Sequence, residues 1–383
     1  MKAAREFPSL TRAAIDLTAL VHNYQELRRL AAPSAKMMAV VKADGYGHGA
    51  VRVSQTALEN GADWLAVARI SEVVQLRDSG IGAPLLLFGI CFPEQISYLV
   101  ENRTRASVAS LASAKVLSEE AGRLGVRLQV HIKVDTGMGR LGESTEQLSR
   151  TVQSVLDLAA LPHLAVEGIY THFASADSAD KSSARRQLNL FMELLHELKK
   201  HNFEVPLRHA ANSAAIIELP ESHLDLVRPG IAQYGLWPSG ETDRSLIDLK
   251  PVMSLKSRII QLKEVPAGFK ISYGSTYETL KPTRIATVPV GYADGYSRLL
   301  SSRGVMLVHG VRVPVVGRVC MDLTMIDVGG VKGVETGDEV VWMGRQGAEA
   351  ISAEEIATSV QTINYEVVTS ITSRVERCYF SSS

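Results

Sequence analysis

Residues 37–49 read MMAVVKADGYGHG. Five apolar residues in a row end on Lys42, and a glycine-rich stretch follows. A run this apolar does not suit a strand with one wet face; it suits a strand buried on both. The glycines at 45, 47 and 49 mark the turn out of it. Runs of the same kind recur at Trp64–Ala68, Leu85–Phe88, Ala106–Val108, Leu128–Val134, Val166–Tyr170, Leu207–Ala210 and Asp225–Val227. Ala106–Val108 is the weakest and is kept for the rhythm of the others. Segments of helical spacing lie between the runs. Ser71–Ser79 is one; Lys181–Lys200 is another, with Leu188, Phe191, Leu194, Leu195 and Leu198 on one face. Eight strand–helix units in succession predict an α/β fold, a (β/α)8 barrel of the TIM type, with an open doubly wound sheet as the alternative.

The pattern changes near Pro238–Asp243, where SGETDR is polar and turn-rich. Beyond it lie strand-like runs: Val252–Val265, Ile285–Pro289, Val305–Val308, Val311–Val316, Leu323–Val328 and Glu339–Met343. His309-Gly310 is a hairpin-turn candidate between two of them, and only Ala353–Ser359 has a helical look. The expected division is a barrel over 12–240 and a mainly β domain over 241–383, with residues 1–11 free to pack with the latter.

The 383 residues allow a large core, and 46% apolar with 21% charged residues is ordinary for a globular chain. Lysine plus arginine equals aspartate plus glutamate at 41 each, so no net charge calls for nucleic acid or an anionic membrane as partner. Three scattered cysteines, Cys91, Cys320 and Cys378, argue against a disulfide framework and a zinc site and fit a reducing compartment. The first residues lack the apolar core of a signal peptide, and no stretch is apolar enough to span a bilayer. The expected location is the cytoplasm.

In a barrel the site lies at the C-terminal ends of the strands. Lys42 ends the first strand and is either a snorkelling side chain or a functional amine, made nucleophilic by desolvation. The following glycines lack the Gly-Lys-Ser/Thr of a nucleotide loop. On the fifth strand His131, Lys133 and Asp135 share a face; a Lys133–Asp135 pair is the plain structural reading. Arg140 follows on a glycine-rich loop. His172 and His209 close strands six and seven, as structural groups or as ligands, but without metal-ligand spacing. Asn212-Ser213 follows strand seven and Arg228-Pro229-Gly230-Ile231 follows strand eight, where barrels commonly bind phosphate. An amine at strand one and a phosphate cradle at strands seven and eight together suggest a Schiff-base cofactor with a phosphate tail. Pyridoxal 5'-phosphate has both features.

The pieces VVKADGYGHG (from 40), KVDTGMGRLG (133), EGIYTHFASAD (167), RHAANSA (208), VRPGIAQYG (227), ISYGSTY (271), VPVGYADGY (288), GRVCMD (317) and INYE (363) stand in an order that resembles the alanine racemase family over nearly the whole chain. The resemblance implies a homodimer with shared active sites that interconverts L- and D-alanine, supplying D-alanine for peptidoglycan. It implies that Lys42 carries pyridoxal phosphate as a Schiff base and serves as base on one face of the substrate. Tyr46, Ser213, Gly230, Ile231 and Tyr365 would hold the phosphate, with Asn212 beside them. Arg228 would face the pyridine nitrogen, supported by His209. Arg140 would touch the phenolic oxygen and the substrate carboxylate, and His172 would pack beside the ring. Tyr273 and Met321 would come from the partner chain, as second base and carboxylate ligand. Tyr292, like Tyr365, would lie at the entry, and Asp322 would be a supporting residue. Lys133 looks like the lysine that many members carry as a carbamate, holding Arg140. One departure stands out: the family often has Asn-Ala where this chain has Asp44-Gly45.

Racemisation takes a proton from one face of a planar carbanion and returns it to the other, so two bases suit it. An arginine at the pyridine nitrogen keeps that nitrogen unprotonated and the electron sink weak. Three other readings share parts of the pattern. A serine or broad-specificity racemase would use the same scaffold. A non-enzymatic pyridoxal-phosphate carrier would not need the β domain. A fold-related decarboxylase would carry an acid where Arg228 stands.

Overall fold

The structure, a computed structural model, describes residues 9–381. They form two compact units: residues 20–45 with 50–250, and the described residues up to Ala19 with 46–49 and those from Pro251 on. In the first unit eight strands follow one another in space as in sequence: Lys36–Val40, Trp64–Val67, Leu85–Leu87, Thr104–Val108, Leu128–Asp135, Leu164–Tyr170, Leu207–His209 and Leu226–Val227. All pair in parallel. The eighth returns to the first, with Leu226 opposite Lys36. Asp225 N donates to Arg208 O (3.1 Å) and Arg228 N to Ala211 O (3.0 Å), which joins strands seven and eight. The ring is closed, so the fold is the barrel and not the open sheet.

The apolar runs have their expected cause. Met37, Met38, Ala39 and Val40 are all buried, as are all four residues of Trp64–Val67. The weak fourth run is a full strand. It looked weak because Ser107, polar in sequence, is buried there and bonds the Tyr170 hydroxyl at 2.8 Å. The helices fall at Ile70–Asp78 and Ser182–Lys200, and the latter buries Leu188, Phe191, Leu194 and Leu198, with Leu195 half-buried.

The unit boundaries differ from 12–240. Arg12–Asp16 does not open the barrel; it is antiparallel to Met253–Arg258 and parallel to Glu376–Phe380 in the β unit. Its RAAID sequence buries alternate residues, the signature of a strand with one covered face, unlike the barrel runs. At the other end the barrel unit continues to Lys250. Asn23 Nδ2 donates to Lys250 O (2.9 Å) and its Oδ1 accepts from Lys250 N (2.8 Å). Of residues 1–11, residues 1–8 lie outside the described part.

The β unit has one large sheet, ordered Val311–Pro314, Val305–Val308, Glu339–Gln346, Met253–Arg258, Arg12–Asp16 and Glu376–Phe380, and a smaller one of Gln261–Val265, Thr283–Val288 and Thr324–Asp327. The expected single run Val252–Val265 is two strands in two sheets. The switch falls at Ile259 and Ile260, whose N–H groups donate to Asp338 O and Thr287 O. His309 (φ +52°) and Gly310 (φ +73°) make the hairpin turn, both left-handed as a type I′ turn requires. Besides Ala353–Val360 there is a second helix, Asn364–Thr369, too short to show a period in sequence. No helix among the described residues is long and apolar enough to cross a membrane.

Candidate active site

Lys42 sits at the C-terminal end of the first barrel strand. The Val40 carbonyl accepts from Gln233 Nε2 (2.7 Å) and the Tyr234 hydroxyl (3.0 Å), and Val40 N donates to Pro229 O (3.1 Å). The strand that presents Lys42 is thereby tied to the loop after strand eight. Directly after Lys42 the chain makes a left-handed turn, with φ +52° at Ala43, +52° at Asp44, +62° at Gly45 and +52° at Tyr46. Each non-glycine residue there costs about 1–2 kcal/mol. The turn is held by Glu72, whose Oε1 accepts from Ala43 N (2.6 Å) and whose Oε2 accepts from Ala68 N (2.8 Å) and Arg69 N (3.0 Å). Asp44 Oδ1 accepts from Ala50 N (2.9 Å), at the start of helix Ala50–Glu59, where a negative charge is favoured. Asp and Gly are among the residues that tolerate this conformation best, so the departure from Asn-Ala suits the turn. Burial holds the Lys42 ammonium below the usual lysine range; Arg140 adds to this and Glu72 opposes it.

Asn212 Oδ1 accepts from Ala215 N (3.1 Å), so Asn212 caps helix Ser213–Glu218. The buried Ser213 hydroxyl accepts from Gly230 N (2.8 Å) and Ala232 N (3.3 Å). It binds the helix start to the 3-10 turn Ile231–Tyr234. First-turn N–H groups lack partners within their own helix. Two such starts, bridged by a hydroxyl, make a cradle for a small anion.

Arg228 is held in place by four neighbours. Nη1 donates to His209 Nδ1 (2.9 Å), and Nη2 to Thr171 O and Ala210 O (both 2.8 Å), with His172 Nδ1 at 3.3 Å. Both histidines thus turn Nδ1 toward the arginine. Burial holds His172 and His209 well below the usual histidine pKa, and Arg228 adds to this, so both are neutral. Burial lowers Arg228 itself to about 10, which leaves it charged at neutral pH. Tyr170 stacks on His209 at 4.7 Å and lies under Arg228 at 5.6 Å and Lys133 Nζ at 5.5 Å.

Lys133 and Asp135 do not pair as the plain reading had it. Lys133 Nζ donates to Val134 O (2.6 Å). Asp135 turns to the glycine loop instead, accepting from Gly137 N (2.9 Å), Met138 N (2.8 Å) and Arg140 N (3.1 Å). It fixes the loop that carries Arg140, whose side chain is exposed. Burial, with Arg228 and Arg140 nearby, pushes Lys133 down to about 8.

The remaining site residues belong to the β unit and form two groups. Tyr46 and Tyr365 have ring centroids 6.2 Å apart. Tyr273, Met321 and Asp322 line one depression of about 550 Å³, together with Ser272, Gly274, Cys320 and Leu323. Tyr273 is 69% exposed and Met321 52%. Tyr292 adjoins them through its N–H to Cys320 O (3.1 Å). Several contributing residues were not read from sequence: Glu72, Tyr170, Thr171, and Gln187, which braces Ala174 N (2.9 Å) and His172 O (3.2 Å). Gln187 alone left a trace, a polar residue on the buried face of its helix.

A closed barrel with Lys42, Ser213 and Arg228 following its first, seventh and eighth strands, joined in sequence to a mainly β unit, is the frame of a barrel enzyme. The alanine racemase N-terminal domain model matches residues 15–238 and the C-terminal domain model residues 252–379. The alanine racemase of Desulfosudis oleivorans is 54% identical over 377 residues, 97% of each chain. The crystal structure of the Bacillus anthracis alanine racemase with bound L-Ala-P is 40% identical, with a TM-score of 0.91 over 98% of this chain and 96% of that one. The Bartonella henselae alanine racemase with covalently bound pyridoxal phosphate is 28% identical, with a TM-score of 0.87 over 97% of this chain and 100% of that one. The chain belongs to the alanine racemase family, an isomerase family dependent on pyridoxal phosphate.

Proposed function

We propose that this alanine racemase works with pyridoxal 5'-phosphate at its barrel mouth and with two bases drawn from two copies of the chain. The observation that carries the reading is the grouping on one barrel of a lysine held below its usual pKa, a hydroxyl-bridged anion cradle and a buried, fully braced arginine. The donor set fits the cofactor. Ser213, Gly230 and Ile231, with Tyr46 and Tyr365, would take its phosphate. Lys42 would take its aldehyde, and Arg228 would donate to its ring nitrogen. Nη2 of Arg228 is committed to two carbonyls and one N–H of Nη1 to His209, so the N–H at Nε and the second at Nη1 remain for that contact. His209 and His172 hold the guanidinium in place, and Asn212 shapes the cradle.

When bound, pyridoxal phosphate supplies the electron withdrawal that makes the substrate α-hydrogen acidic. Lys42 Nζ takes or returns the proton on one face, and Tyr273 of the partner subunit does so on the other. Arg140, together with Met321 of the partner subunit, orients the substrate carboxylate; Tyr292 and Tyr365 lie at the entry, with Asp322 in support. A carbamate on Lys133 would hold Arg140. The dimer is supported by the exposure of Tyr273 and Met321 on one depression, since contiguous apolar exposure of this kind marks an interface. D-alanine for peptidoglycan is the role that fits, and three unpaired cysteines fit the cytoplasm.

The test is subunit exchange. Lys42→Ala and Tyr273→Phe chains, each inactive alone, should on mixing regain about a quarter of the sites, as random exchange in symmetric dimers dictates. Verified exchange with no regained activity rejects the shared site. A chiral assay across amino acids accompanies it; serine turned over as fast as alanine would make the chain a broad-specificity racemase.

A further inference from the structure

The barrel interior contains a line of polar groups below Arg228 that the reaction does not use. His209 Nε2 lies 2.9 Å from His131 Nδ1. His131 Nε2 in turn lies 3.9 Å from Glu167 Oε2, and no hydrogen-bond partner for that buried nitrogen is found among the described residues. Glu167 also binds Arg105, at 2.8 Å, whose guanidinium lies 4.8 Å over the Trp64 ring.

The direction of this line follows from its first member. A guanidinium only donates. Arg228 Nη1 therefore makes His209 Nδ1 an acceptor. A neutral histidine that accepts at Nδ1 carries its proton on Nε2, so His209 donates to His131 Nδ1. By the same step His131 carries its proton on Nε2, facing the Glu167 carboxylate. The polarity runs one way, from arginine toward carboxylate: the first two links are hydrogen bonds and the last is a charge contact at 3.9 Å.

The backbone is shaped for it. Strands five and six lose register at this point: Val130 is opposite Val166, but His131 is opposite Gly168. Glu167 is the extra residue of a bulge, a device that re-aims a side chain. Gly168 clears the space, because a Cβ there would lie 2.4 Å from His131 Nδ1.

We infer that His131 and Glu167 are positioning residues for Arg228: they fix His209 as the Nε2–H tautomer, so that it always offers Arg228 an acceptor. The inference rests on the reading that Arg228 faces the cofactor ring. Without the anchor, His209 can adopt the Nδ1–H form and set a donor against a donor. The guanidinium would then lose its fixed orientation.

The test is nitrogen NMR of the holoenzyme labelled with 15N-histidine, His131 and His209 being assigned by single His→Gln variants. In the wild type both rings should be neutral, with the proton on Nε2. In Glu167→Ala, His131 should show a mixture of tautomers and kcat should fall about tenfold with KM little changed, on the scale of lost orienting contacts. Glu167→Asp should restore the single tautomer in part. Gly168→Ala gives a second route, since it pushes His131 off His209 without touching a charge. An Nδ1–H or doubly protonated His209 in the wild type overturns the inference. So does a Glu167→Ala protein whose two rings keep their wild-type tautomers. These outcomes are independent of the function proposed above: a racemase with an Nδ1–H His209 faults only the relay, and an inactive wild type with the expected tautomers faults only the function.

Discussion

Raising dissolved carbon dioxide should convert Lys133 to a carbamate near neutral pH, and the structure sets the scale. Only the neutral amine attacks carbon dioxide. A lysine at its ordinary value of 10.5 is neutral in about 0.3% of molecules at pH 8, whereas one at about 8 is neutral in about half. The difference favours the neutral form by about 3 kcal/mol. Its largest cause is burial, the side chain belonging to a residue 4% exposed, with Arg228 and Arg140 adding repulsion and Asp135 opposing. A carbamate is an anion, so the two arginines that penalise the ammonium favour the product. Carbamate formation should therefore level off above about pH 8 and fall about tenfold per pH unit below it. The sign for stability is the same way round. Between about 8 and 10.5 the unfolded chain binds more protons at this lysine, so stability rises with pH there, and below 8 the full cost is present. The assay is 13C NMR after equilibration with labelled bicarbonate, with Lys133→Arg as the blank. Absence of a carbamate signal at pH 8, or an amine that titrates near 10.5, would refute the argument from burial.

Ser213→Ala should weaken cofactor binding about tenfold to a hundredfold, from the roughly 1–3 kcal/mol lost when a buried bridging hydroxyl leaves donors unpaired; absorbance titration with pyridoxal phosphate measures it, and a change under twofold removes Ser213 from the cradle. Glu72→Gln sets an amide where N–H groups converge, so it should lower unfolding stability by about 1–3 kcal/mol. It also removes the charge that raises Lys42, so the acid limb of the pH–rate profile should move to lower pH; an unmoved limb shows that Glu72 has no electrostatic hold on Lys42. Gly49→Ala places a methyl 1.8 Å from the Tyr379 hydroxyl at φ +91°, and urea unfolding should show a loss of at least about 2 kcal/mol. Adding Tyr379→Phe should recover only part of that, because the backbone strain remains.

The barrel was legible because strands buried on both faces leave unbroken apolar runs, and polar residues stand out against them. Lys42, Lys133, His209 and Arg228 drew attention by position alone, and the structure brings all four into the barrel unit. What was lost were features set by a neighbour rather than by the local pattern. Arg12–Asp16 reads as a barrel start from chain order, yet its alternate burial is decided by two strands more than 230 residues away. Ser107 weakened the fourth run because its partner, Tyr170, lies two strands on. The bulge that re-aims Glu167 exists only in the pairing of two strands, so no spacing within VEGIY reveals it.

Tyr273 shows a different limit. It sits in a turn with φ +65° at Ser272, +72° at Gly274 and +49° at Ser275, where neither helical nor strand periodicity applies. Its side chain is largely exposed, so no packing pattern marks it either. Family resemblance alone singled it out. On the proposed function its partner would lie on another copy of the chain, and such a residue needs no packing within its own chain. The same reasoning explains why the Lys42 side of the site could be argued from burial and charge. In the proposed role Lys42 would have to be desolvated, and its burial rests on a strand, a turn and an acid that holds that turn, all of them within this chain. Under the proposed function, a second base supplied across an interface would need a defined turn and an open face; residues 272–275 form such a turn, and Tyr273 is exposed on it.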